Sequence, residues 1–194
     1  MSAFIKKHSF DMVFDSQKLF RALLKAFSNP MQRQDIHEAS DKLYDAYQPL
    51  LAVAMTLLDN EVQFFVSGDD ALVEEMVSLT LARRSAAEAA DFIFVTDPKQ
   101  LEPIIASAKC GSLSDPHKSA TILIPLDGEA SERLTLTGPG INGTLRTVCE
   151  PCVREALRLR DAQCYEYPQG IDFIFIDGAG GLFAIPRLVK GSEA

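Results

Sequence analysis

Apolar positions along this chain switch between a helical and a strand spacing, and the switches set the order of elements. Leu19, Leu23, Leu24 and Phe27 recur three and four residues apart behind Asp15 and Ser16. That spacing predicts a first helix capped by Asp15 or Ser16 and stopped before Asn29-Pro30, because a residue ahead of proline avoids helical backbone. Met31 to Tyr47 is polar and weakly patterned, with room for a short edge strand near Gln34 to His37 and a loop. Pro49 suits the first turn of a second helix reaching Leu58, and Val62 to Val66 follows as a short strand closed by Ser67-Gly68. Asp69 and Asp70 open a third helix. Its stripe is Leu72, Met76 and Leu79, and Arg83-Arg84 fall at its end, as the helix dipole favours.

Phe92 to Val95 reads as a buried strand, Pro98 to Ser107 as a helix, Thr121 to Leu126 and Leu134 to Thr137 as strands, and Glu150 to Arg160 as the last helix. The chain closes on a hairpin between Tyr167 and Arg187. Ile171 and Phe173 to Ile176 are apolar on both sides of the pleat, which fits a central strand covered on each face. Asp177 to Gly181 turns the chain, and Leu182 to Ile185 returns until Pro186, which has no backbone donor for a ladder. Strands separated by helices predict an α/β domain with a layered mixed sheet, and residues 1–194 fit one domain.

Composition adds limits. With 47% apolar and 24% charged residues the chain is of ordinary globular make-up, and no repeat or low-complexity segment interrupts it. A net charge of −8 argues against a nucleic-acid partner, whose phosphates are met by Lys and Arg. The opening MSAFIKKHSF has no apolar leader region, and the longest apolar run, Pro49 to Leu58, is half of the roughly 20 residues that span a bilayer. A cytoplasmic protein with no membrane partner is expected, its four cysteines present as thiols.

Gly138, Gly140 and Gly143 follow a predicted strand in a GxGxxG pattern, with Arg146 close behind. A dinucleotide site needs a helix to open at that loop, whereas Thr144 to Val148 is β-branched. Two readings stay open: a glycine turn, or a backbone nest for a phosphate or phosphonate assisted by Arg146. Cys149-Glu150-Pro151-Cys152 matches the CxPC spacing of thiol oxidoreductases, but such a motif belongs directly after a first core strand. No metal-ligand spacing links the cysteines with His8, His37 and His117. Lys99, Lys109 and Lys118 lack a pyridoxal-type context. Asp172 and Arg187 stand at the ends of the hairpin, either as a solvated edge pair or as residues facing a cleft or another subunit. Arg21 and Lys25 read as solvent-facing charges on the first helix.

Three segments together resemble one family. Asp15 to Pro30, Leu136 to Ile141 and the hairpin from Tyr167 to Arg187 look like PhnH, the H subunit of bacterial carbon-phosphorus lyase. The resemblance implies the fold of pyridoxal-phosphate-dependent transferases without the cofactor site, and no cofactor. It implies a non-catalytic subunit of the carbon-phosphorus lyase core, working with the G, I and J subunits and the L protein. That system makes ribose 1-phosphonate 5-triphosphate from ATP and an alkylphosphonate, with loss of adenine. It also implies a homodimer of the isolated chain; a strand of the closing hairpin, if it lay at the sheet edge, would expose backbone donors that a partner could cover, and the sequence does not say which face is used. The alternative is a stand-alone enzyme, either a CxPC thiol oxidoreductase or a nucleotide-dependent transferase.

Overall fold

The first helix, α1 (Phe14–Ser28), begins two residues earlier than a cap at Asp15 predicts, because the carboxylate of Asp11 accepts hydrogen bonds from the amides of Val13 and Phe14 at 2.8 and 2.9 Å. Asp15, expected as a cap, is instead 2% exposed. It receives Lys42 Nζ at 2.7 Å and the Asp11 amide at 2.8 Å. The structure is a computed structural model that describes residues 8–44 and 47–193; the leader reading of residues 1–7 lies outside it.

Strand β1 (Gln34–Asp35) and the single turn α2 (His37–Ser40) precede α3 (Gln48–Leu57), which is buried from Pro49 to Met55 and so sits inside the core. Strand β2 (Gln63–Ser67) leads through α4 (Asp70–Thr80) to β3 (Arg83–Arg84). Here the structure corrects the sequence reading. Leu81 takes a left-handed φ of 62° and ends α4, so Arg83 and Arg84 leave the helix and pair in parallel with Gln63 and Phe64. Then come β4 (Phe92–Val95), α5 (Leu101–Ser107) behind a 3-10 turn at Pro98–Gln100, and β5 (Thr121–Pro125). A second, smaller sheet begins with β6 (Glu132–Thr137) and β7 (Leu145–Cys149), followed by α6 (Pro151–Asp161). The closing hairpin is β8 (Asp172–Ile176) and β9 (Gly181–Ile185), and β10 (Lys190–Glu193) ends the described chain.

The large sheet runs β1-β9-β8-β5-β4-β2-β3, parallel from β8 through β3 and antiparallel at β9 and β1; the small one runs β10-β6-β7. This is the expected α/β class with a mixed sheet. Its two faces bury different helices. Ile174, Ile176, Phe64 and Phe94 join the α1, α3 and α4 layer, while Phe173, Phe175, Ile93 and Ile122 join the α5, α6 and small-sheet layer. Alternation of side chains along a strand sends neighbours to opposite faces, which is why β8 is apolar throughout.

The hairpin is not at an edge. β8 pairs with β5 and β9, and β9 pairs with β8 and β1, so the sheet ends instead on the two-residue strands β1 and β3. Short edge strands limit the unpaired backbone available for edge-to-edge pairing. Strands β7 and β10 are not legible in the hydrophobic pattern: β7 alternates half-buried with exposed residues, and β10 has no apolar residue.

One buried cation joins these parts. Arg160, 1% exposed near the end of α6, donates to the carbonyls of Ile171 at 3.4 Å, Pro186 at 3.2 Å and Val189, and its guanidinium lies 5.2 Å from the centre of the Phe173 ring. Burial pulls its pKa down, opposed by the nearby Asp161 carboxylate. Arg160→Ala would leave those carbonyls without their donor in a dry interior and should cost about 3–5 kcal/mol. For a chain of this size we expect a melting temperature lower by about 10 °C. An unchanged melting curve would show that the guanidinium does not join the sheets.

Candidate functional site

In open α/β sheets, ligands bind beyond the carboxyl ends of the parallel strands, at the point where the strand order reverses. Here that point lies between β2, whose crossover leads outward to β3, and β4, whose crossover leads the other way to β5. Each of the four strands meeting along this rim is followed within two residues by an aspartate: Asp69 after β2, Asp97 after β4, Asp127 after β5 and Asp177 after β8.

Three of the four are committed to turns. Asp69 caps α4 through the Leu72 amide at 2.9 Å, Asp97 accepts from the Lys99 amide at 3.1 Å, and Asp177 Oδ1 accepts from the amides of Ala179 at 3.0 Å and Gly181 at 2.8 Å, closing the hairpin. Ser67, buried at the end of β2, ties the switch point together by accepting hydrogen bonds from the amides of Thr96 at 2.9 Å and Asp97 at 3.2 Å. Asp127 is exposed beside the start of α6, on a cavity of 240 Å³ lined mainly by Val95, Leu101, Ile124, Pro151 and Cys152.

Arg33 is the cation of the rim. Its guanidinium donates to Asp177 at 2.8 Å and to Glu150, and it lies over the Phe183 ring at 5.5 Å. Glu150, at the N-cap of α6, is 6% exposed, a position where the helix dipole favours negative charge. One guanidinium against two carboxylates leaves the trio net negative. Neither Arg33 nor Glu150 stands out in sequence: Arg33 lies in an unpatterned stretch, and Glu150 is overshadowed by its flanking cysteines. Arg160 did leave a signal, because Val153, Ala156, Leu157 and Arg160 repeat at the spacing of one helix face.

The cysteines of the CxPC sequence are not activated. Cys149 ends β7 under α6 at 0% exposure, and burial pushes its pKa up to about 11. Cys152 is also raised by burial, although the Asp127 amide works the other way. A helix N-terminus lowers a thiol pKa only where the thiolate stays solvated or paired, and burial wins here. Among the described residues no group of three His, Cys, Asp or Glu is placed to hold a metal ion.

Gly138, Gly140 and Gly143 lie in the turn between the antiparallel strands β6 and β7, so no helix opens there and the dinucleotide pattern lacks its helix. Gly138 (φ 131°) presses on the segment Leu188-Val189, where an added Cβ would stand 2.8 Å from the Leu188 carbonyl oxygen. Gly140 (φ 82°) presses on the end of α1, where a Cβ would stand 2.7 Å from the Ser28 oxygen and from Pro30. Gly143 has open space around it, and Arg146 is exposed on β7. Asp172 and Arg187 face one another: Asp172 Oδ1 accepts from the Arg187 amide at 2.7 Å and from Nε at 3.3 Å, while Arg187 also donates to the Pro116 carbonyl. Lys109, one of the three candidate lysines, is held by Asp91 and the Ala89 carbonyl.

The loops that touch are the ends of three segments far apart in sequence, at Ser28-Pro30, Gly138-Gly140 and the residues just after Arg187. They are the segments on which the family resemblance rests. The model of the bacterial phosphonate metabolism protein family PhnH matches residues 8–191, so the chain belongs to that family and has its role in bacterial phosphonate metabolism. No curated protein matches the chain. No helix among the described residues is long and apolar enough to cross a membrane.

Thiol chemistry gives a direct check. Cys164, exposed, should react with a disulfide reagent at about pH 8 long before Cys149, which should react only on unfolding. Because the folded Cys149 thiol is harder to ionise than the unfolded one, its share of stability is intact below its ordinary value of 9.0 and is lost as pH climbs toward about 11. Cys149→Ala should flatten that part of the stability curve; a fast-reacting Cys149 in the native protein would contradict the burial argument.

Proposed function

We propose that this PhnH chain is a non-catalytic subunit of the carbon-phosphorus lyase core, acting with the G, I and J subunits. In that assembly ATP and an alkylphosphonate become ribose 1-phosphonate 5-triphosphate. The observation that carries the reading is the rim of the sheet. The place where an α/β fold holds a phosphate carries an aspartate after each of four strands and a cation already matched by two carboxylates. Triphosphate chemistry needs the opposite field, with backbone donors, Lys, Arg or a bridging divalent ion around the transferring group. The binding of ATP therefore belongs to another subunit.

The same reading covers the remaining assignments. The glycines at 138 and 140 serve close packing, and an anion-nest role narrows to Gly143 and Arg146, whose surroundings are open. Asp172 and Arg187 act first on each other, with Arg187 half-buried beside Pro116. A parallel sheet with one antiparallel strand beside β8 is in keeping with the implied transferase-like fold without its cofactor. The isolated chain is a cytoplasmic homodimer.

The purified chain should consume neither ATP nor methylphosphonate, and activity should appear when the partner subunits are added. Turnover by the chain alone would overturn the reading. Light scattering of the isolated chain should give twice the 21.3 kDa chain mass. Cys149→Ser combined with Cys152→Ser should leave the activity of the assembled complex within about twofold, as expected for thiols with no chemistry. A large loss of activity with an unchanged melting curve would favour the thiol oxidoreductase alternative.

A further inference from the structure

Helix α1 has two apolar faces. The inner one, Leu19, Leu23 and Ala26, is buried in the core. The outer one runs Val13, Phe20 and Leu24, at intervals of seven and four residues that stack them in a single stripe, with the half-buried Phe27, packed against the core, at its margin. Leu24, which by spacing belongs with the buried set, is 52% exposed, beside Val13 at 70% and Phe20 at 47%. Such a stripe exposes on the order of a few hundred Å² of apolar surface, the range in which patches on single chains are often functional.

Cations line one side of the stripe. Lys18, Arg21 and Lys25 are all exposed, in a chain whose net charge is −8. Lys18 is paired with Glu38 at 3.2 Å; among the described residues Arg21 and Lys25 have no carboxylate partner. Apolar centre and charged rim together are the anatomy of an interaction surface.

We propose that the outer face of α1 seats a partner subunit, and that the occupant is an amphipathic segment whose apolar side is flanked by Asp or Glu. The proposal rests on the reading of the chain as a subunit, and charge selects the occupant. In an antiparallel two-fold pairing of α1 with its own copy, the two cation rows fall on the same side and repel; in a parallel pairing the two helix dipoles align side by side. The chain's own first seven residues carry Lys6 and Lys7 and no carboxylate, the wrong sign for this face. An acidic partner helix supplies both the missing charge and the apolar cover.

Two variants of the full chain test this: Phe20→Glu with Leu24→Glu, and Arg21→Glu with Lys25→Glu. Each is co-expressed with the G, I and J subunits, and assembly is followed by size-exclusion chromatography with light scattering. Both should keep the wild-type melting curve, since all four positions are exposed, and both should bind the partners at least about tenfold more weakly. In the wild-type complex, a zero-length carbodiimide should join Lys25 to a carboxylate of another subunit. If the wild type assembles and both variants assemble equally well, this surface is overturned while the subunit reading stands. Variants that instead dissociate the isolated homodimer would make a second copy the occupant and overturn the proposal. A wild type that forms no complex would overturn both.

Discussion

Most of the architecture hangs on the guanidinium of Arg160. It leaves α6, reaches under the C-terminal segment and donates hydrogen bonds to carbonyls at the start of β8, the end of β9 and the approach to β10. β8 and β9 belong to the large sheet and β10 to the small one, so a single side chain fixes how the two sheets meet. A planar donor with five N–H groups suits this task, because it can serve several carbonyls at once while its face rests on Phe173. Removing such a cation from water is costly, and the carbonyl bonds and the aromatic face offset that cost. Gly191 complements the arrangement: a Cβ there would stand 3.1 Å from the Leu157 Cδ1, so β10 lies close against α6 at that position.

Holding the C-terminal segment in place has a consequence for distant parts of the chain. Leu188 and Val189, next to the carbonyls that Arg160 grips, form the wall against which Gly138 is pressed, while Gly140 meets the end of α1. Segments separated by more than a hundred residues are thus keyed to one another by missing side chains and backbone contact. The family resemblance and the packing coincide there, which assigns those glycines a structural task first.

Electrostatics at the opposite ends of the molecule's elements divide the work. The carboxyl ends of the parallel strands are ringed with aspartates that cap turns and helices, leaving Arg33 bound between Glu150 and Asp177. Arg21 and Lys25, which have no carboxylate partner among the described residues, lie along the outer side of α1 near exposed apolar side chains. The CxPC thiols add no reactive group to that rim, because burial raises the pKa of both.

Local signals were enough for much of this. Periodicity alone placed α1, α3, α4, α6 and the strands from β2 through β9 apart from β3 and β7, because each buries a face whose repeat is written in neighbouring residues. What local pattern could not carry was anything decided across the chain. Arg83 and Arg84 look like a helix end until a left-handed Leu81 frees them to pair with β2, and β7 and β10 exist only because β6 lies between them. Leu24 has the spacing of a core residue yet faces outward, since neighbours three and four apart spread over more arc than one buried face occupies. Arg33, Glu150 and Asp177 are 117 and 27 residues apart, and only the fold makes them one site: sequence records which residues can hide from water, while distance in space depends on every turn between them.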